Sequence, residues 1–82
     1  MPTVLHLGRL RVAIYPNDHR PAHVHVIGKG CEAVFDLHCP NGPPGLRENY
    51  RFNIKALTRI KAGLANKLTT LCDTWESIHG EP

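Results

Sequence analysis

The sequence predicts an α+β fold: a small antiparallel sheet of about four strands, with a long C-terminal helix packed on one face. Short runs with alternating apolar residues, separated by glycine-containing turns, fill the first half of the chain and are typical of β-hairpins. Large apolar residues recur at spacings of three and four in the last third, which is the period of an amphipathic helix. We expect one domain over residues 1–82, with two hairpins in 1–37, a proline- and glycine-rich connection in 38–52 and the helix in 53–79.

Each predicted hairpin consists of two apolar runs joined by a short turn. The runs are Val4–Leu7 with Leu10–Tyr15 around Gly8-Arg9, and His23–Ile27 with Cys31–Leu37 around the glycine-rich Gly28-Lys29-Gly30. Two-residue connections suit antiparallel hairpins, because their geometry matches the twist of the flanking strands. In the second run, Leu10, Val12 and Ile14 share one face, which we predict to be core.

A Lys29-Gly30 turn fixes the pairing of the second hairpin. Counting outward places Val26 opposite Ala33 and Val24 opposite Phe35, so that one face is apolar. A slip of one residue would mix apolar and polar side chains on both faces, and the pattern argues against it. The other face then carries the polar side chains of the hairpin, namely His23, His25, Glu32 and Asp36.

The C-terminal helix is long for so small a sheet. Asn53 is a suitable N-cap, and the apolar residues continue from Ile54 to Ile78. A helix of this length reaches roughly 38 Å at 1.5 Å per residue, whereas strands of five or six residues span about 17–20 Å. We therefore expect either that the helix breaks near Gly63 and folds back, or that its C-terminal half overhangs the sheet. An overhang would form a partner interface of Leu68, Leu71, Trp75 and Ile78.

Composition sets the broad class of protein. The net charge of +3 and the pI near 9.0 permit binding to RNA or to an acidic partner without singling out either. Three cysteines without C-x-x-C spacing predict reduced thiols rather than a disulfide framework or a zinc knuckle.

No apolar run approaches the roughly 20 residues of a membrane span, and the N-terminal segment lacks the charged and apolar regions of a signal peptide. We expect a cytoplasmic protein with no membrane partner.

The segment Asn17–Val26 places three of the six histidines, an acid and an arginine within ten residues. In the alternation His-Val-His-Val, the imidazoles of His23 and His25 lie on the same face of a strand. Histidine titrates near neutrality and serves as a general acid or base, most effectively beside a carboxylate. The candidate catalytic residues are Asp18, His19, His23, His25 and Asp36, and the candidate phosphate-binding cations are Arg11, Arg20 and Lys29.

Two other interpretations of the same residues stay open. His-x-His on a strand directs two imidazoles the same way, so His23 and His25 with Glu32 could bind a metal ion. Alternatively, the histidines only join the loop to the strand by hydrogen bonds, or contact a protein partner. No phosphate-binding glycine loop, nucleophile motif or zinc-finger spacing is present, and no cofactor is predicted.

The chain also resembles a known family. The start Met1–Val4, Gly8, the run Asn17–Val26, the pair Glu32-Ala33 and the late Trp75 are similar to short bacterial proteins of the domain of unknown function 4160 family. The resemblance implies a single small domain encoded beside another small protein, as in candidate toxin–antitoxin pairs. The segment Cys39–Gly45 is longer than this family leads us to expect.

From the residues and the resemblance together we expect the toxin-like component of a toxin–antitoxin pair. It would act as a metal-independent, histidine-dependent ribonuclease or as an RNA-binding protein. Its expected partners are an antitoxin-like small protein encoded nearby, RNA, or a second copy of the chain. The alternatives are a non-enzymatic module that recognises a protein partner, and a small metal-binding protein.

Overall fold

The computed structural model describes residues 3–81, so Met1 and Pro2, which belong to the family resemblance, lie outside the described residues. Five antiparallel strands form one sheet in the order β1-β2-β3-β4-β5, and two helices follow. The fold is therefore α+β as predicted, with five strands in place of about four and two helices in place of one. The elements are β1 (Thr3–Leu7), β2 (Leu10–Ala13), β3 (His23–Gly28), β4 (Cys31–Asp36), β5 (Gly45–Tyr50), α1 (Ile54–Asn66) and α2 (Leu68–His79).

The predicted pairing of the second hairpin is confirmed. Val26 pairs with Ala33, Val24 with Phe35 and His23 with Asp36, around the Lys29-Gly30 turn. The first hairpin also turns at Gly8-Arg9, so that Leu7 faces Leu10. Alternation decides the register here because a shift by one residue would expose every valine of β3.

Strand β5 was not predicted from the sequence, which placed these residues in the connection over 38–52. It pairs antiparallel with β4 along the edge of the sheet, and five of its six residues are exposed. An edge strand with both faces near solvent has no need of apolar alternation, so its sequence carries no period of two. Backbone pairing to β4 defines this strand instead.

The expected single helix is two helices, and the break lies at Lys67 rather than at Gly63. Asn53 caps α1 as predicted, because its side-chain oxygen accepts a hydrogen bond of 2.8 Å from the Ala56 amide. Gly63 lies within α1 and faces β1, where an added Cβ would come within 3.1 Å of the Leu7 side chain. The glycine therefore permits close packing of the helix on the sheet and does not end the helix.

The change of direction at Lys67 returns α2 to the sheet. Leu71 and Trp75 are fully buried in the same core as Val24 and Phe35, whereas Ile78 remains 40% exposed. The expectation that this half of the helix overhangs the sheet is wrong. The partner interface was predicted from this overhang, for Leu68, Leu71, Trp75 and Ile78. Because Leu71 and Trp75 are covered by the core of their own chain, they are not available to a partner.

A disulfide joins Cys39, in the loop after β4, to Cys72 of α2, and Cys31 is the free cysteine. The prediction of three reduced thiols is therefore wrong for this pair. An odd number of cysteines accommodates one bridge and one thiol, and the packing of α2 against the loop brings the two Cα atoms to 5.8 Å. Disulfides persist mainly in oxidising compartments, so the cytoplasmic location stays a prediction. Neither helix of the described part is long and apolar enough to cross a membrane.

Candidate functional site: a histidine–aspartate centre

The loop between β2 and β3 holds Asp18 in a fixed position. The Tyr15 amide donates to Asp18 Oδ2 at 3.0 Å, and the Asp18 amide donates to the Tyr15 carbonyl at 3.0 Å. Such reciprocal contacts are characteristic of aspartate in turns, where its short carboxylate reaches nearby backbone amides. The turn directs the carboxylate toward the start of β3.

Asp18 meets two histidines of β3 there, and we name Asp18, His23 and His25 the His–Asp centre. Asp18 Oδ2 lies 3.5 Å from His23 Nε2 and 3.3 Å from His25 Nε2, and Asp18 Oδ1 lies 3.3 Å from His25 Nε2. The alternation of β3 places both imidazoles on the same side of the strand, and the loop supplies the acid between them. The predicted association of Asp18, His23 and His25 is thus present in the fold.

The other ring nitrogen of each imidazole has its own partner. His23 Nδ1 donates to the Pro21 carbonyl at 2.9 Å, because a carbonyl oxygen can only accept. His25 Nδ1 lies 3.2 Å from Glu32 Oε2, a carboxylate on the neighbouring strand β4. Both rings are consequently fixed in orientation, with Nε2 directed at Asp18.

Aromatic side chains form the walls of the centre. The indole of Trp75 lies 5.2 Å from the His23 ring and stacks on His79 at 4.0 Å, while Tyr15 meets His25 edge-on at 4.8 Å. The side chain of His23 is only 6% exposed, but those of Asp18 and His25 are 15% and 17% exposed. Solvent therefore reaches the centre from the side of Asp18 and His25.

Two of the predicted catalytic residues lie outside the centre. Asp36 is opposite His23 in the hairpin, yet its carboxylate forms an ion pair with Arg47 of β5. His19 is exposed and does not belong to the cluster of converging side chains. Glu32, predicted as a metal ligand, instead contacts the Nδ1 atom of His25, on the opposite side of the ring from Asp18.

The predicted cations are dispersed. Arg11 lies on the face of the sheet that carries His25, which we name the open face because the helices cover the opposite one. Arg11 pairs with Ile27 and Ala13 pairs with His25, so Arg11 and His25 are diagonal neighbours on the two strands. Diagonal neighbours of adjacent strands are roughly 7–8 Å apart, within reach of an arginine side chain. Arg20 forms an exposed ion pair with Glu81, and Lys29 lies in the β3–β4 turn, roughly 20 Å along the strand from His23. Of the three predicted cations, Arg11 is therefore the one whose register position neighbours His25.

Tyr50, at the end of β5, has a raised pKa. Its hydroxyl donates to the Glu48 carboxylate at 3.2 Å, and this hydrogen bond, together with the negative charge of Glu48, raises the pKa of the phenol above its usual value. Tyr50 is exposed at the edge of the sheet. It therefore stays protonated at neutral pH and acts there as a hydrogen-bond donor rather than as a base.

Four surrounding groups were not predicted as part of the site: Tyr15, the Pro21 carbonyl, Trp75 and His79. Tyr15 continues the alternation of β2 beyond Arg11 and Ala13, so the sequence places it on this face, although its contact with His25 was not predicted. Trp75 and His79 are four residues apart on a helix and thus neighbours on one face. Their contact with β3 depends on the turn at Lys67, for which the sequence has no clear signal.

The centre supports two kinds of chemistry. A carboxylate that contacts two imidazoles can orient them for proton transfer to and from a substrate. The same three side chains also form a potential cation-binding group, since one ligand atom from each lies within 4.8 Å of the other two. His25 is the histidine of the pair with the larger exposure and is placed between two carboxylates, Asp18 and Glu32.

Comparison with known proteins gives one match. A family model described as "Domain of unknown function (DUF4160)" matches residues 10–76, which include the whole His–Asp centre. No curated protein and no solved structure is significantly similar to the chain. The geometry of the His–Asp centre is therefore the basis for inferring its function.

Proposed function

The chain belongs to the DUF4160 family of domains of unknown function, and we propose that it is a small ribonuclease, the toxin-like component of a toxin–antitoxin pair. The observation that carries the proposal is the position of His25. Its ring is held between Asp18 and Glu32, is partly exposed, and lies diagonal to Arg11 on the open face of the sheet. These are a proton-transfer group, carboxylates that orient it and a cation, which are the groups that RNA cleavage without a cofactor requires.

In the proposed reaction, His25 accepts the proton of the ribose 2′-hydroxyl. The 2′-oxygen then attacks phosphorus, and the bond from phosphorus to the 5′-oxygen breaks as that oxygen takes up a proton from water or from the protonated centre. The products are a 2′,3′-cyclic phosphate and a free 5′-hydroxyl. Arg11 neutralises the charge that develops on the phosphate oxygens. His23 is too deeply buried to reach the substrate and acts as a positioning residue through Asp18.

The proposed partner is an antitoxin-like small protein that blocks access to His25 from the open face. The net charge of +3 is compatible with an acidic partner and with RNA. The second candidate function is recognition of that partner without catalysis. It is favoured by the burial of His23, because only one of the two imidazoles is accessible to a substrate.

The test is to express the chain alone in a bacterial host and to incubate the purified protein with RNA of defined sequence. We compare wild type with His25→Ala, with Arg11→Ala and with the matched control His19→Ala, which removes an exposed histidine of the same loop. We expect growth arrest and RNA cleavage by wild type and His19→Ala. His25→Ala should lose at least 100-fold in cleavage rate, as is usual when a general acid–base group is removed.

Equal cleavage by wild type and His25→Ala would overturn the proposal, since the activity would then come from elsewhere. Absence of both cleavage and growth arrest for a folded wild-type chain would also overturn it. If the same chain bound a neighbour-encoded protein, that result would support the partner-recognition function instead. Circular dichroism of each variant separates loss of activity from loss of fold.

A further inference from the structure

We propose that the His–Asp centre is a binding site for a single divalent transition-metal ion of the Zn²⁺ class. The ligands are one carboxylate oxygen of Asp18 and the Nε2 atoms of His23 and His25. This inference does not depend on RNA as a substrate, because the ligands bind an ion whether or not the protein cleaves anything. With an ion bound, both Nε2 atoms are ligands and neither can accept a proton. The RNA cleavage proposed above therefore requires the metal-free centre.

The first support is the hydrogen bonding of the two rings. His23 must carry a proton on Nδ1, because that atom contacts the Pro21 carbonyl, and His25 donates from Nδ1 to the Glu32 carboxylate. In the neutral form each imidazole then presents a lone pair at Nε2. Asp18 Oδ2 lies 3.5 Å from the lone pair on His23 Nε2 and 3.3 Å from that on His25 Nε2. A carboxylate and two lone pairs repel one another unless a cation or added protons lie between them.

The second support is the spacing of these atoms. Zinc binds imidazole nitrogen and carboxylate oxygen at about 2.0–2.2 Å in tetrahedral geometry, which separates neighbouring ligand atoms by roughly 3.3–3.5 Å. The separations from Asp18 Oδ2 to the two Nε2 atoms, 3.3 Å and 3.5 Å, have this value. By comparison, a strong charged hydrogen bond between nitrogen and carboxylate is 2.7–2.9 Å long. The separations therefore match two ligands of one ion, and a direct hydrogen bond from His25 Nε2 to Asp18 would be a long one at 3.3 Å.

The third support is the set of groups behind the ligands. Histidines that bind metal almost always donate their second ring nitrogen to a carbonyl or carboxylate, which fixes the tautomer and strengthens the ligand. Here the Pro21 carbonyl serves His23 and Glu32 serves His25, so Glu32 orients a ligand and is not one itself. The indole of Trp75 covers His23 on the inner side. Two histidines and one carboxylate, with an open position toward solvent, match the ligand number of catalytic zinc sites.

The competing picture is a charge cluster, in which both imidazoles carry a second proton and Asp18 neutralises them. In that case the centre contains cations already and repels a metal ion. The two pictures therefore differ in whether a divalent ion binds, and direct binding distinguishes them.

The experiment titrates chelator-treated, oxidised full-length protein with Zn²⁺ by calorimetry and with Co²⁺ by visible absorption. We expect one equivalent of either ion, with the visible bands of four- or five-coordinate cobalt. The chain contains one tryptophan, and Trp75 lies 5.2 Å from the His23 ring, so Co²⁺ should also quench its fluorescence with the same midpoint. RNA is absent throughout, so failure to bind metal and failure to cleave RNA are separate results.

Variants assign the ion to the centre. We expect His25→Gln and Asp18→Asn to weaken Zn²⁺ binding by at least 100-fold, and Glu32→Gln by 10–100-fold, the effect of removing a group that orients a ligand. The matched control His19→Gln, an exposed histidine of the same loop, should bind as wild type does. These positions are partly or fully exposed, and circular dichroism of the metal-free variants confirms that they fold.

Three results would overturn the proposal. One is the absence of saturable binding to folded wild-type protein. Another is binding that His25→Gln and Asp18→Asn leave unchanged, which would place the ion elsewhere. The last is equal weakening by His19→Gln and His25→Gln, which would indicate nonspecific binding to surface imidazoles.

Discussion

The two faces of strand β3 are held by different forces. Val24 and Val26 point to the helices and are fully buried, so they are stabilised by removal of apolar surface from water. His23 and His25 point the other way and are held by individual contacts to Pro21, Asp18 and Glu32. Apolar burial tolerates substitution by residues of similar volume, whereas each polar contact depends on one atom at one position. The first face therefore determines the fold, and the second carries the residues of the proposed chemistry.

The apolar core and the His–Asp centre are in contact where the Trp75 indole meets the His23 ring. Helix α2, which supplies Trp75, is itself held by the Cys39–Cys72 disulfide. A change in the core at this point should reach the His–Asp centre, while a change at the exposed side of the centre should not reach the core.

The largest effect is expected for Trp75→Ala. Removing a fully buried indole should lower the free energy of unfolding by about 3–5 kcal/mol, through lost apolar contact and the cavity left behind. Urea unfolding followed by circular dichroism measures it. The control is Ile78→Ala on the same helix, where we expect about 1 kcal/mol or less because the side chain is largely exposed. A small loss for Trp75→Ala would show that the indole is not a core residue and would return it to the proposed partner interface.

A smaller loss is expected when the disulfide is removed. The bridge closes a loop of 33 residues, and the chain-entropy relation gives about 3–4 kcal/mol for a loop of that length. The double variant Cys39→Ser/Cys72→Ser should lose this amount relative to oxidised wild type in urea unfolding. Cys31→Ser should stay within about 0.5 kcal/mol, as the free cysteine is not bridged. Equal stability of the double variant and wild type would mean that the bridge does not form in solution.

The two histidines themselves should differ in stability. His23→Ala removes a buried imidazole, its hydrogen bond to the Pro21 carbonyl and its packing beside Trp75, so we expect a loss of about 1–3 kcal/mol. His25→Ala should cost about 1 kcal/mol or less, because its ring is near solvent. Thermal and urea unfolding of metal-free protein provide the comparison. If both variants lost the same free energy, the distinction between a positioning histidine and a reactive histidine would fail.

The smallest effect is expected for Asp18→Asn in metal-free protein. An asparagine still accepts from the Tyr15 amide at the position of Oδ2, and its side-chain N–H at the position of Oδ1 can donate to the lone pair of His25 Nε2. We expect stability unchanged or raised by up to about 1 kcal/mol, in contrast to the loss of Zn²⁺ binding. A loss of about 1.5–3 kcal/mol would instead indicate charged imidazoles paired with Asp18.

The sequence predicted the structure correctly where an apolar pattern is compatible with only one strand register. The alternation of β3 and β4 determined their register, and the same alternation placed His23 and His25 together. It was insufficient where structure depends on contacts between distant segments. Because β5 has no apolar period, Arg47 could not be placed beside Asp36, and Asp36 was predicted to be catalytic. Because the turn at Lys67 has no proline or glycine, the burial of Trp75 on His23 was not foreseen.

The state of the two imidazoles is measured most directly by long-range ¹H–¹⁵N correlation spectra of the histidine side chains. In metal-free protein we expect His23 and His25 to carry a proton on Nδ1, which contacts the Pro21 carbonyl and Glu32, and a lone pair on Nε2. One equivalent of Zn²⁺ should then shift both Nε2 resonances strongly and leave those of His19 in place. Rings protonated on Nε2, with resonances that do not respond to Zn²⁺, would contradict the assignment of Asp18, His23 and His25 as a cation-binding centre.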